Sequence, residues 1–142
     1  MLKWVVSQGR SLALMATPRL RIRIILANGA TLGPTEIALL EAIVAKGSIT
    51  AAARSLKISY RYAWRLVQSI NDMLHSPAVV TEVGGHEGGG SNLTATGKQL
   101  VAIYHAIQSQ AYTASFHELH VLGTMARKRQ PSTGAVEGIE KL

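Results

Sequence analysis

Two serines eleven residues apart, Ser48 and Ser59, each stand before a stretch with helical periodicity. They confine Gly47–Asn71, GSITAAARSLKISYRYAWRLVQSIN, to two helices joined by a tight turn. A serine hydroxyl in that position accepts from backbone N–H groups that the first turn of a helix leaves unpaired. Behind Ser48, the residues Ile49, Ala52, Ala53 and Leu56 fall on one helical face, and the two alanines let another helix cross close to the backbone. Lys57-Ile58 forms the turn, with Ile58 buried beneath it. Behind Ser59, the residues Ala63, Leu66, Val67, Ile70, Met73 and Leu74 repeat at the same spacing and face a core. The opposite face carries Tyr60, Arg61, Trp64, Arg65 and Gln68. Two cations, an amide and two aromatics near a helix start suit base edges and phosphates in a DNA major groove. Paired helices with inward-facing aromatics are also common in proteins that bind no DNA, so the flanking sequence has to discriminate.

Upstream, Leu20 to Ala27 alternates and then turns continuously apolar before Asn28-Gly29, which reads as a short strand with Arg21 and Arg23 outward, ended by a turn. Gly33-Pro34 opens a helix, Glu36 favours its positive end, and Gly47 closes it. Its buried stripe is Ile37, Leu40, Ile43 and Val44. Downstream, Ala78 to Val83 has β-type composition, Gly84 to Gly90 is a glycine-rich loop, and Ser91-Asn92-Leu93 returns as a partner strand. Helix, turn, helix, then strand, loop, strand describes a winged helix. The loop lacks the lysine of a phosphate-binding P-loop and the βαβ context of a dinucleotide site. It reads as a hairpin tip whose glycines, Gly85 among them, let backbone approach phosphates, with His86 adding a weak contact.

Thr94 caps a last helix that tolerates Gly97 near its start and runs to about Met125, roughly 45 Å at 1.5 Å per residue. Its stripe of Leu100, Ile103, Tyr104, Ile107, Ala111, Ala114, Phe116, Leu119 and Leu122 outlasts what a small domain can cover, which predicts a homodimer through this helix. Residues 1–18 read as a disordered extension, 19–126 as the folded domain with its linker and dimerisation helix at 94–125, and 127–142 as a disordered tail. The fold class is mainly α with a small β wing: a winged helix-turn-helix with a long C-terminal dimerisation helix.

Net charge of +7, from 15 Lys and Arg against 8 Asp and Glu, favours a polyanionic partner. Cysteine is absent, which removes disulfides, thiolate metal sites and cysteine nucleophiles and fits the cytoplasm. No apolar run approaches a membrane span. His117 and His120 can share a helix face, but a zinc site needs further ligands and none stands near, so no metal is expected. Acidic residues are few and isolated, which argues against hydrolytic chemistry. The expected protein is therefore no enzyme and carries no cofactor.

Taken together, the motifs resemble the N-terminal domain of ModE-type molybdate-responsive transcription regulators, and more distantly the DNA-binding domain of LysR-type regulators. The residues that carry the resemblance are Gly47-Ser48-Ile49, Ala52-Ala53, Ile58-Ser59-Tyr60, Ala63-Trp64, the loop Gly84 to Gly90, and Leu93-Thr94-x-x-Gly97, within residues 20–123. The resemblance implies dimers that bind palindromic operators. ModE-type proteins carry C-terminal molybdate-binding modules, and this sequence stops soon after the linker helix, so molybdate binding is not expected of it. In the expected complex with double-stranded DNA, Tyr60, Arg61, Trp64, Arg65 and Gln68 enter the major groove, with arginine on guanine and Gln68 on adenine. Ser48, Thr50, Ser59 and Thr94 bind phosphates from helix starts. A dimer sets its two reading helices about 34 Å apart. The alternatives are a protein–protein interaction module and a molybdenum-related accessory protein on the same scaffold.

Overall fold

A computed structural model of the protein describes residues 18–82 and 90–127. It divides into two units, Leu20–Ala114 and a second that includes residues 115–127.

The first unit opens on an extended segment whose burial alternates residue by residue from Arg21 to Ala27, with Arg21 and Arg23 outward as the alternation in sequence requires. Only its end is paired. Strand β1 (Ile24–Ile25) meets β2 (Thr31–Leu32) antiparallel, in register Ile24 to Leu32 and Ile25 to Thr31. The return strand is an addition to the sequence reading, although Asn-Gly between apolar runs is a hairpin signal in its own right. Gly29 takes φ 84°, a left-handed value that a glycine adopts without strain. Asn28 Oδ1 accepts from Ala30 N–H at 3.0 Å, and Asn28 Nδ2 donates to the Met73 carbonyl at 3.2 Å, which pins the hairpin to a distant helix end.

Helix α1 (Pro34–Lys46) begins with proline at its first position. The Gly33 N–H donates to Glu36 Oε2 at 2.9 Å, the reciprocal arm of a capping box. It ends at Gly47, whose φ of 79° gives a left-handed cap and a bond from its N–H to the Ile43 carbonyl at 2.8 Å. Ile37, Leu39, Leu40 and Ile43 are buried. Val44, expected on that stripe, is 60% exposed, and Leu39 takes the inward place beside the expected Ile37, Leu40 and Ile43.

Helix α2 (Ile49–Leu56) and helix α3 (Tyr60–Asp72) follow, each capped by its serine. Ser48 Oγ accepts from Ala51 N–H and Ser59 Oγ from Tyr62 N–H, both at 3.1 Å. Lys57 turns the chain at φ 58°, and Ile58 is half-buried against the core. Ala52, Ala53 and Ala63 are buried with Leu66, Val67 and Ile70, the small side chains allowing close crossing with Leu39, Leu40 and Ile43.

Strands β3 (Val79–Thr81) and β4 (Ser91–Leu93) pair antiparallel, in register Val79 to Leu93, Val80 to Asn92 and Thr81 to Ser91. Helix α4 (Ala95–Ala114) then packs back across the core. Gly97 decides how closely. A Cβ built there would stand 2.2 Å from the Ala78 carbonyl oxygen, so this position does more than tolerate glycine.

Two residues expected on an outward stripe are buried. Tyr104 is 2% exposed, and its phenol donates to the Ile22 carbonyl at 2.7 Å; Leu119 is also buried. Leu100 is half-buried against the core. The expected continuous helix from Thr94 to Met125 is interrupted at Ser115 (φ −106°, ψ 15°), after which α5 (Phe116–Met125) begins. Ser115-Phe116-His117-Glu118 has the S-x-x-E spacing of a helix start, a signal the apolar stripe overrode. The expected extension at 1–18, but for its last residue, and the tail, but for Arg127, lie outside the described residues. Among the described residues, no helix is long and apolar enough to cross a membrane.

Replacing Gly97 by alanine forces the first turn of α4 away from Ala78, and overpacking of this kind costs about 1–3 kcal/mol. The expected result is a lower urea midpoint with an unchanged denaturant slope. Tyr104→Phe should cost about 1–2 kcal/mol by leaving the Ile22 carbonyl without its donor. Burial raises the Tyr104 pKa above its usual 10.0, with Arg21 pulling the other way. The stability that the neutral phenol supplies is thus complete below pH 10.0 and lost as pH climbs through the raised value. Alkaline denaturation of Tyr104→Phe, followed by circular dichroism, should show that limb flattened.

Candidate nucleic-acid interface

Between Ile49 and Asp72 the sequence carries four cations, Arg54, Lys57, Arg61 and Arg65, and a single acid, Asp72, at the far end. All four cations are exposed. The turn at Lys57 places two of them on α2 and the turn, and two on the first two turns of α3. The apolar stripe of α3 is anchored by Ala63, Leu66, Val67 and Ile70, which fixes the phase of the helix and turns Tyr60, Arg61, Arg65 and Gln68 to solvent. Tyr62 is exposed as well, a residue the sequence reading passed over.

Trp64 differs from its neighbours. It is half-buried against the core and meets Tyr60 edge to face, with ring centroids 6.2 Å apart at 85°. Such a pair holds the 51%-exposed Tyr60 ring in place at the start of the helix. Trp64 therefore supports the face more than it projects from it.

The helix-start hydroxyls divide into two groups. Ser48 and Ser59 use only an acceptor lone pair in capping, which leaves each O–H proton for a further acceptor. Thr50 is exposed on the first turn of α2. Thr94 is committed on both sides: its hydroxyl donates to the Pro77 carbonyl at 2.6 Å and accepts from Gly97 N–H at 3.1 Å. Its own N–H donates to the Ala78 carbonyl at 2.9 Å. Thr94 joins α4 to the base of the β3–β4 hairpin and has no proton left to offer a phosphate.

That base is held from three directions. Besides Thr94, Ser91 N–H donates to the Gly47 carbonyl at 2.9 Å, tying β4 to the end of α1. From α3, Asn71 reaches back with both ends of its amide: Nδ2 donates to the Val79 carbonyl at 3.0 Å, and Oδ1 accepts from Ala78 N–H at 2.8 Å and Val79 N–H at 3.1 Å. Sequence reasoning missed Asn71. The available signal was a poor helix former in the last turn of a helix, followed by Ser-Pro. Gly85 and His86 lie outside the described residues.

Among the described residues, no group of three or more histidines and acids could hold a metal ion. His105 Nε2 meets Glu41 Oε1 on the surface, bridging α4 to α1.

No family model matches the chain. Over 82 residues, 58% of this chain and 30% of the relative, it is 46% identical to the molybdenum-pterin-binding protein MopB of Rhodobacter capsulatus. Over 86 residues, 61% of this chain and 32% of the relative, it is 41% identical to the molybdenum transport protein ModE of Azotobacter vinelandii. Over 82 residues, 56% of this chain and 31% of the relative, it is 35% identical to the DNA-binding transcriptional dual regulator ModE of Escherichia coli K12. The resemblance to ModE-type proteins drawn from the motifs is thus carried by aligned sequence. The chain spans about a third of the length of these curated relatives.

Proposed function

We propose that this protein is a sequence-specific DNA-binding regulator of the ModE-like kind: a winged helix-turn-helix in which α3 enters the major groove and the β3–β4 hairpin is the wing. The observation that carries the reading is the exposed face of α3, where Tyr60, Arg61, Arg65 and Gln68 face solvent while the apolar side of the same helix is locked in the core. Arg61 and Arg65 have the fork geometry for guanine, and Gln68 can take adenine. Ser48, Thr50 and Ser59, with Arg54 and Lys57, set the register on phosphates. On this reading the chain works in the cytoplasm as a binding protein and not as an enzyme. The relative named as a DNA-binding regulator supports the choice of partner.

The same reading has the protein act as a homodimer on palindromic sites. Support comes from the outward side of α4, where Ile103 is 49% and Ile107 is 40% exposed and Lys98 is the one formally charged residue. The stripe is narrower than the sequence implied, because Tyr104 faces inward and Leu100 is half covered.

The molybdenum-pterin-binding name of one relative favours a second reading, an accessory protein in molybdenum handling. A molybdate titration by calorimetry separates the two: the DNA reading expects no heat of binding to this chain.

Selection of bound duplexes from a random pool tests the main proposal, and a recovered palindrome is the expected outcome. On the selected duplex, Arg61→Ala or Arg65→Ala should each cost roughly 1–3 kcal/mol where the side chain reads a base. The logarithm of affinity should fall linearly with the logarithm of salt concentration. Unchanged affinity in both variants would remove α3 as the reader. Ile103→Glu, at an exposed site, should keep the helical content by circular dichroism and shift sedimentation to the monomer.

A further inference from the structure

We infer that Asn71 is a positioning residue that sets the angle of the β3–β4 hairpin against α3, and so aligns the two DNA-contacting elements. The inference rests on the DNA-binding reading for its functional half and on the geometry alone for its structural half.

The hairpin pivots at a defined place. Ala78 and Val79 are buried, whereas Val80, Thr81 and Glu82 are exposed, so the strand leaves the core just after Val79. Asn71 grips that point. Its amide makes three hydrogen bonds to two consecutive residues, accepting from the Ala78 and Val79 N–H groups and donating to the Val79 carbonyl. Three bonds in two directions fix orientation, where a single bond would fix only distance. The Thr94 and Ser91 contacts join the hairpin base to α4 and to α1. Asn71 joins it to α3, the helix that carries the basic face.

Few side chains can replace it. Aspartate keeps the acceptors but loses the donor, and it sets a carboxylate oxygen against the Val79 carbonyl. Glutamine is one methylene longer in a half-buried site. Leucine fills the space and leaves two backbone donors and one acceptor without partners.

The first test needs no DNA. Residual dipolar couplings of the backbone N–H groups are measured for Asn71→Ala and for the unaltered protein. In the unaltered protein, one alignment frame should fit α1–α3 and the hairpin. In Asn71→Ala the helices should keep that frame and the hairpin should depart from it. A single frame fitting both elements in the variant would overturn the inference. Asn71→Asp, closer in shape, serves should the alanine variant fail to fold.

The second test is a hydroxyl-radical footprint on the selected duplex. Asn71→Ala should bind about tenfold more weakly, the worth of roughly one good hydrogen bond. Its loss of protection should fall on the outer steps of the site, with the central steps unaltered. Arg61→Ala should show the opposite pattern. A uniform loss of protection in Asn71→Ala, expected of a merely destabilised α3, would overturn the positioning role. Should the unaltered protein select no duplex, the DNA reading falls, and the dipolar couplings decide the structural claim on their own.

Discussion

The missing side chain at Gly97 is the condition on which the arrangement around the hairpin depends. The first turn of α4 lies so close to the chain at Ala78 that even a methyl group would overlap the carbonyl oxygen. That closeness lets the Thr94 N–H and hydroxyl reach the Ala78 and Pro77 carbonyls. It also holds Ala78 and Val79 in the core, within reach of Asn71. The hairpin base is therefore locked by hydrogen bonds that form only because two backbones meet without side chains between them. Buried peptide groups left unpaired there would be costly, so the close approach and the bonding stabilise each other.

The basic face depends on a different balance. Arg54, Lys57, Arg61 and Arg65 repel one another, and nothing acidic lies between them to relieve this. The cost is small while the groups remain exposed to water and screening salt. It is carried by an apolar underside in which Ala63, Val67 and Ile70 are almost wholly covered. A helix anchored this firmly on one side can keep an exposed cationic surface on the other. Trp64, set half into the core against Tyr60, lies at the boundary between the two sides.

The outward side of α4 shows how an apolar pattern is shared out in three dimensions. From the sequence, Leu100, Ile103, Tyr104 and Ile107 form one stripe, with nothing in the spacing to rank them as contacts for a partner. In the fold the extended segment before β1 lies along this helix and takes Tyr104 by its hydroxyl, while Gln108 Nε2 donates to the Leu20 carbonyl at 3.2 Å. Tyr104 thereby becomes a core residue with its polar end satisfied. Ile103 and Ile107, displaced around the helix, are left in water.

What the sequence determined by itself was local. Both serine caps, the Gly47 stop, the turn at Lys57 and the outward arginines of the extended segment follow from bonds and periods that span a few residues, and they stand where those rules put them. The polar face of α3 was legible for the same reason, since an apolar stripe fixes its own opposite side. The rest was decided by the tertiary structure. Whether Val44 or Leu39 faces inward, whether Tyr104 is core or surface, and whether the last helix continues past Ser115 depend on what packs against each helix. Asn71 and Gly97 belong here too, because their partners at Ala78 and Val79 become neighbours only once the chain has folded back. A helix period states which residues share a side, and only the surrounding elements state which side is covered.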